Sequence, residues 1–582
     1  MTTERSPMVF KSMDRRHLVF WFLMFLIVIA GIELGALLIE RVENSVARSK
    51  NPFVESVNPA SAFKIVDIGG TKMVVRSEFH PLMNTAMQPF PLKRPEGGLR
   101  VFVLGGSAAA GWPYHAGDTN ISALLERKLR MLYPRRQIEV INAAAGTYAS
   151  HRVKLIFEEV LSYNPDIVFL YNGNNEFLES LVYRPQRPQA PWDRSATIRL
   201  TYRAVTSLMV PLPRVDVGNY DISAQVPNTL SFAFSKASLY REDSRQFQML
   251  LEHYRFNLEE MAKTARAAKV PLFFLTCPVN LKDWVPNVSK HRKDLSLEDK
   301  ARWTGLFRDG YLNIEKGNFS AAIVPLRAAI SIDDEYAEAH YRLAEALRQT
   351  GKWGDAKNEY ILALQRDAFP FRELPEFQNI LREVAAKQGV PLVDIIAPLE
   401  AVAGEGIIGL DVLIDYVHLS ERSQEIVSHE MVKSLLIHGL LQGISAADVE
   451  RVRISIPLKF WALRDVIAAD LKYNMAMIMH QYDRLDALYK EAVEIFSRAA
   501  REDPSIAEDC KWRLVSFRHI HSIVGAYRDL LRAEKLGLLE KTYTPEEAQR
   551  IFFEYRDMIH QVKTPSLSWE EFKQKVPQGP FQ

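Results

Sequence analysis

The sequence predicts an α/β protein: a parallel sheet with covering helices, interrupted by a helical repeat unit. An N-terminal membrane helix precedes it and an all-helical region follows it. Three observations carry this expectation. Short apolar runs ending in glycine or asparagine alternate with amphipathic helical stretches from residue 99 to about 180, and again after 244. A segment of period 34 lies between two of those runs. Leu18 to Ile39 hold a single charge, Glu33, in 22 positions, about the length that crosses a hydrocarbon core as a helix.

Composition sets the outer limits. At roughly 150 residues per domain, 582 residues make three or four structural units. Hydrophobic residues at 47% and charged residues at 25% exclude a largely disordered chain. Lys and Arg total 73 against 71 Asp and Glu, leaving +2, without the basic excess a nucleic-acid partner requires. The two cysteines, Cys277 and Cys510, are far apart, which excludes a disulfide scaffold and a clustered-cysteine zinc site.

At the N-terminus, residues 1–17 read as a cytoplasmic tail and 18–39 as a transmembrane anchor. No small-residue cleavage site follows the anchor, so an uncleaved segment is expected over a signal peptide. Arg5, Lys11, Arg15 and Arg16 precede the segment, against Arg41, Arg48 and Lys50 after it, which orients the N-terminus inward. The remainder of the chain is then expected in the periplasm or another extracytoplasmic space. Residues 40–98 carry scattered prolines and little periodicity, and read as a linker.

The sheet begins at Leu99–Leu104, an apolar run closed by Gly105-Gly106, as a strand buried on both faces would read. A helix is expected over Ile121–Leu132, with Leu124, Leu125, Leu129 and Leu132 at helical spacing, then a strand over Ile138–Ile141. A second helix, Val153–Ser162, leads to a strand at Ile167–Tyr171. Residues 181–243, with prolines at 185, 188, 191, 211 and 213 among others, read as an irregular insertion. The alternation then resumes: an amphipathic helix with Leu250, Tyr254, Leu258 and Met261 feeds a strand at Val270–Leu275. Helix Phe377–Lys387 feeds Val390–Ile395. Both late strands open with Val-Pro-Leu, and proline is tolerated where a strand starts. The sheet domain is therefore split over 99–180, 244–282 and 375–440.

Within the split, Gly317-Asn318-Phe319 aligns with Gly351-Lys352-Trp353, Ala322 with Ala356, Leu326 with Tyr360, Ala329 with Ala363 and Asp333 with Asp367. This pattern resembles two tetratricopeptide repeats, in a helical unit over 300–370. Helix pairs of that kind bury faces against neighbouring pairs, small residues permitting close approach. A protein or peptide partner at the repeats is one reading and a rigid spacer the other. Residues 445–582 are apolar-periodic and poor in glycine, and read as helical.

Ligands of open α/β sheets gather at the carboxyl ends of the strands, and there the chain places its chemistry. The first strand ends in Gly105-Gly106-Ser107-Ala108-Ala109-Ala110-Gly111, the second in Asn142 to Gly146, and the third in Asn172-Gly173-Asn174-Asn175-Glu176. The fifth is followed by Asp415-Tyr416-Val417-His418. A nucleophile, oxyanion donors and a base with its orienting carboxylate thus fall on one rim. A phosphate loop over Gly106–Gly111 is excluded because Trp112, not lysine, follows.

In this order the motifs resemble the SGNH (GDSL-type) hydrolase superfamily. The resemblance implies a flavodoxin-like SGNH hydrolase fold with no cofactor and no metal. It gives Ser107 the nucleophile's place, Gly146 the backbone oxyanion donor's, Asn175 the side-chain oxyanion donor's, and Asp415 and His418 those of the closing Asp-x-x-His. Two departures stand out. The family's Gly-Asp-Ser is Gly105-Gly106-Ser107 here, and its Asn-Asp is Asn175-Glu176. The expected activity is ester hydrolysis by a membrane-anchored enzyme, on acylated envelope glycans or lipids. The rivals are an acyltransferase or O-deacetylase for envelope polysaccharide using the same residues, and a catalytically silent scaffold whose repeats bind proteins.

Overall fold

The computed structural model describes residues 61–77, 87–114, 119–177, 244–455 and 481–511, together with 24, 28–38, 195, 197 and scattered positions in 465–476 and 513–532. Two compact units divide the chain: one of 1–60 with 186–219, the other of 61–185 with 220–582. In the first, residues 28–38 are helical. The Glu33 carboxylate accepts from Ser195 Oγ at 2.7 Å and Thr197 N at 3.2 Å. Val28, Ile29, Ile32, Leu34, Leu37 and Leu38 are exposed on that helix. Among the described residues no helix is long and apolar enough to cross a membrane. The remaining positions of the expected span 18–39, the tail 1–17 and nearly all of the insertion 181–243 lie outside the described residues.

The second unit opens with strands β1 (Phe63–Ile68), β2 (Thr71–Arg76) and β3 (Phe90–Pro91), an antiparallel sheet in the order β1-β2-β3. These strands fall in the stretch read as a linker. Phe63, Phe90, Phe102 and Tyr163 pack edge to face at 5.3–6.2 Å between ring centres, an arrangement that adds to their area burial. The Arg100 guanidinium, wholly buried, donates to Pro91 O at 2.7 Å, Tyr163 O at 2.8 Å and Glu139 Oε2 at 2.7 Å. This small sheet is therefore fastened to the main one.

The main sheet holds β4 (Leu99–Gly105), β5 (Ile138–Asn142), β6 (Ile167–Tyr171), β7 (Leu272–Leu275) and β8 (Leu392–Val393). Their order is β5-β4-β6-β7-β8, parallel throughout, a doubly wound arrangement whose topological switch falls between β4 and β6. Every residue of β4 and β6 is buried, as continuous apolar runs require of a sheet covered on both faces. The two late strands are shorter than their apolar runs. Pro271 and Pro391 stand just before β7 and β8, yet their carbonyls accept from Val168 N and Phe274 N at 2.9 Å each.

The covering helices begin with α1 (Ser107–Ala110), α2 (Ile121–Leu132), α3 (Ser150–Val160) and α4 (Ser244–Ala268). The repeat unit follows as α5 (Leu297–Glu315), α6 (Phe319–Ile332), α7 (Ala337–Gln349) and α8 (Trp353–Arg366). Gly317 and Gly351 turn each pair with φ of +74° and +77°, a region glycine enters without steric cost. The buried Ala322, Leu326 and Ala329 of α6 recur as Ala356, Tyr360 and Ala363 of α8. The chain returns to the sheet through α9 (Pro375–Gln388) and α10 (Ile396–Val402), and ends its sheet domain in α11 (Glu421–Ile437). Helices α12 (Ala446–Arg451) and α13 (Tyr482–Glu502) belong to the C-terminal region. Cys277 and Cys510 are buried free thiols.

Candidate active site

The backbone at the end of β4 is what exposes Ser107. Gly105 has φ +149°, and a Cβ there would run into the Tyr171 carbonyl of β6. Gly106 is the N-cap of α1 and is extended, at φ −84° and ψ −162°. A Cβ on Gly106 would collide with the Asn175 side-chain nitrogen. A larger residue at 106 would therefore require the Asn175 amide to shift. Gly111 ends α1 at φ +84°, its N–H donating to Ala108 O at 3.1 Å. Asn142 Nδ2 donates to Ala110 O at 3.1 Å, and Gln424 of α11 donates to Gly111 O at 3.3 Å. The C-terminal end of this four-residue helix is thereby held.

His418 and Asp415 come from a tight turn between β8 and α11. Leu413 bridges Leu419, and Ile414 N donates to His418 O at 2.8 Å. The Asp415 carboxylate, fully buried, accepts from Val417 N at 2.9 Å and His418 N at 2.8 Å through Oδ1. Its Oδ2 lies 2.6 Å from His418 Nδ1, and His418 Nε2 lies 2.8 Å from Ser107 Oγ. A carboxylate only accepts, so the imidazole proton sits on Nδ1 and Nε2 is left to accept from the Ser107 hydroxyl. The N-cap of the following helix, α11, is Ser420, whose Oγ accepts from Ser423 N. The Tyr416 phenol is pushed far up by burial, the Asp415 carboxylate beside it adding to the effect.

Asn175 follows β6. Its Nδ2 donates to Tyr148 O at 3.1 Å, which uses one of the two amide hydrogens, and the nitrogen lies against Gly106. Gly146 follows Ala145, whose N–H donates to Gly105 O at 3.0 Å, so its turn runs beside the end of β4. The structure thus joins Ser107, His418 and Asp415 by hydrogen bonds and sets Asn175 and Gly146 along the same strand end. Glu176, the second departure, accepts from Ser150 N at 2.9 Å, Ser150 Oγ at 2.8 Å and Asn172 Nδ2 at 3.0 Å. The extra methylene of glutamate reaches the first turn of α3, where a negative charge is favoured.

Asn280 is a site residue the sequence reading missed. Its Nδ2 donates to Asp415 O and its N–H to Tyr416 O, both at 2.9 Å. Its only signal was its place just beyond β7, on the rim that carries the other groups. Among the described residues, no group of three or more His, Cys, Asp or Glu gathers as metal ligands would.

Next to Ser150, the rings of His151 and His253 lie 5.5 Å apart. Burial lowers both pKa values to about 4, with Lys154 and Arg152 adding to the effect on His151, and His151 and Lys154 to that on His253. In the unfolded chain each returns to its ordinary value near 6.5. Because the folded values are depressed, acid favours the unfolded chain: the stability held above pH 6.5 is lost as the pH falls toward 4. The cost is on the order of 3 kcal/mol for one histidine. We expect the melting temperature to fall over that window more steeply in the wild type than in His253→Gln. Equal slopes would remove this histidine from the acid response.

A tetratricopeptide-repeat family model matches residues 313–374. No curated protein matches the chain. Among solved structures, similarity extends to an alpha/beta hydrolase enzyme from the metagenome of Lake Arreo, at 12% identity over 60% of this chain and 98% of that one, with a TM-score of 0.27. An acetylxylan esterase from Geobacillus stearothermophilus shares 11% identity over 59% and 96%, TM-score 0.27. A lipase/acylhydrolase from Enterococcus faecalis shares 14% over 60% and 100%, TM-score 0.27.

Proposed function

We propose that this protein is a membrane-anchored serine ester hydrolase acting on acylated glycans or lipids of the cell envelope. The observation that carries the reading is the unbroken relay from Ser107 Oγ through the His418 ring to the Asp415 carboxylate. In this reading Ser107 Oγ attacks the ester carbonyl carbon while His418 Nε2 takes its proton. Asp415 stabilises the resulting imidazolium without itself taking the proton. The negative oxygen of the tetrahedral intermediate is held by the amides of Ser107 and Gly146 and by the second amide hydrogen of Asn175. His418 then returns the proton to the departing alcohol oxygen as the ester C–O bond breaks. A water molecule, deprotonated by the same nitrogen, attacks the acyl carbon, releases the acid and restores Ser107.

A fluorophosphonate probe is expected to label the full-length protein, with the adduct on Ser107 by peptide mapping. No labelling would favour the silent scaffold. The anchoring rests on the apolar run Leu18–Ile39 and on the flanking cations. An alkaline phosphatase fused after Gln582 is expected to be active, since that enzyme works only when exported. A cytoplasmic reporter active at the same position would overturn both the location and the choice of envelope substrates.

A further inference from the structure

Two ionisable side chains, adjacent in sequence, are buried where the chain leaves the repeats and rejoins the sheet domain. Arg372 and Glu373 are 2% and 1% exposed, between the end of α8 and the start of α9. Burying charged or ionisable groups is costly unless they are paired and hydrogen-bonded, so their partners are informative.

Arg372 Nη1 donates to Asn280 O at 2.7 Å and Trp284 O at 3.0 Å, while Nη2 lies 3.5 Å from the buried Asp367. Asn280 in turn donates to the carbonyls of Asp415 and Tyr416. Beside this link, Phe371 meets the Tyr416 ring edge-on at 6.2 Å, and Tyr416 meets the His418 ring at 5.8 Å. Glu373 points the other way. Its N–H donates to Asn174 Oδ1 at 3.0 Å, and its carboxyl fills the space where a Cβ on Gly173 would stand. Asn174 is the residue before the proposed oxyanion donor. Burial, with the Glu176 carboxylate nearby, raises the Glu373 pKa well above its ordinary value.

We propose that Arg372 and Glu373 are positioning residues through which the repeat unit sets the geometry of the acyl-transfer site. Arg372 holds the Asp415–His418 turn through Asn280, and Glu373 holds the Asn175 loop through its backbone N–H on Asn174 and its carboxyl packed on Gly173. The repeats are then a structural part of the site as well as a surface beside it. This inference rests on the ester-hydrolase reading for its effect on turnover, but not for its effect on the two loops.

The test compares full-length wild type with Glu373→Ala, Glu373→Gln and Arg372→Lys, the last keeping a cation beside Asp367. Hydrogen exchange is read on peptides covering 172–176 and 414–419, and kcat and KM on p-nitrophenyl acetate. Glu373→Ala is expected to speed exchange at 172–176 and to lower kcat about tenfold with KM within twofold. Glu373→Gln, the neutral isostere, restores both. Arg372→Lys is expected to speed exchange at 414–419 instead and to slow fluorophosphonate labelling about tenfold. Unchanged exchange in both loops, or a Glu373→Ala defect that Glu373→Gln does not relieve, would overturn the inference. If the wild type neither labels nor hydrolyses, the ester-hydrolase reading falls, and the exchange pattern alone decides whether the two residues hold the loops.

Discussion

Alanine at Ser107 is expected to lower kcat for ester hydrolysis by on the order of a million-fold and to abolish fluorophosphonate labelling. The substitution removes the atom that would bond to the acyl group, and no other hydroxyl on the described rim is hydrogen-bonded to His418. It should leave the fold intact, because Ser107 opens a helix whose next three residues are all alanine and alanine is the best helix former. A melting temperature within a few degrees of wild type is therefore part of the expected result. His418→Ala should cost a comparable factor, and the double variant little more than either alone, since the two act as one unit. A folded Ser107→Ala protein that still hydrolyses p-nitrophenyl acetate at the wild-type rate would rule out the proposed nucleophile.

Asn175→Ala carries the second largest expected effect. An oxyanion donor acts mainly as charge develops, so its loss should reduce kcat with little change in KM. A reduction of about 100- to 1,000-fold, or roughly 3–4 kcal/mol, is expected. The three asparagines of this loop differ in what they hold. Asn172 donates to Glu176, Asn174 accepts from Glu373 N, and Asn175 alone abuts the glycine before Ser107. Asn172→Ala and Asn174→Ala should accordingly be milder by at least tenfold. Kinetics on the three variants, with melting curves to exclude a damaged turn, check the assignment. Loss of kcat in a folded Asn174→Ala protein, with Asn175→Ala spared, would move the oxyanion donor by one residue.

Much of the sheet was legible because burial on both faces leaves a continuous apolar run, as in Ile167–Tyr171. The repeats were legible because alanines recur at fixed spacing where helices approach closely. Residues 63–91 were not. Most of β1 is exposed, and the deeply buried Phe63, Val74 and Phe90 stand one to a strand, too few on any of them for a period-2 signal. Arg100 interrupts an apolar strand in the sequence, yet its charge is neutralised and bonded by groups 9 to 63 residues away. For the candidate site, motif order indicated Ser107, Gly146, Asn175, Asp415 and His418. Asn280, Arg372 and Glu373 carry no local pattern, since the hydrogen bonds that tie them to the site span 88 to 199 residues.

The 311 positions between Ser107 and His418 also govern when the protein can act during its own synthesis. At roughly 5–20 residues per second, about 15–60 s separate translation of the serine from translation of its base. During that interval the emerging chain has an exposed hydroxyl with no partner to deprotonate it. Strand β8 cannot pair with β7 until the helices between them have emerged, and such non-local pairing is slow. A ribosome-bound chain stalled before residue 415 should therefore be inert toward esters and toward serine probes. Activity would switch on only once the last strand and its turn have been delivered.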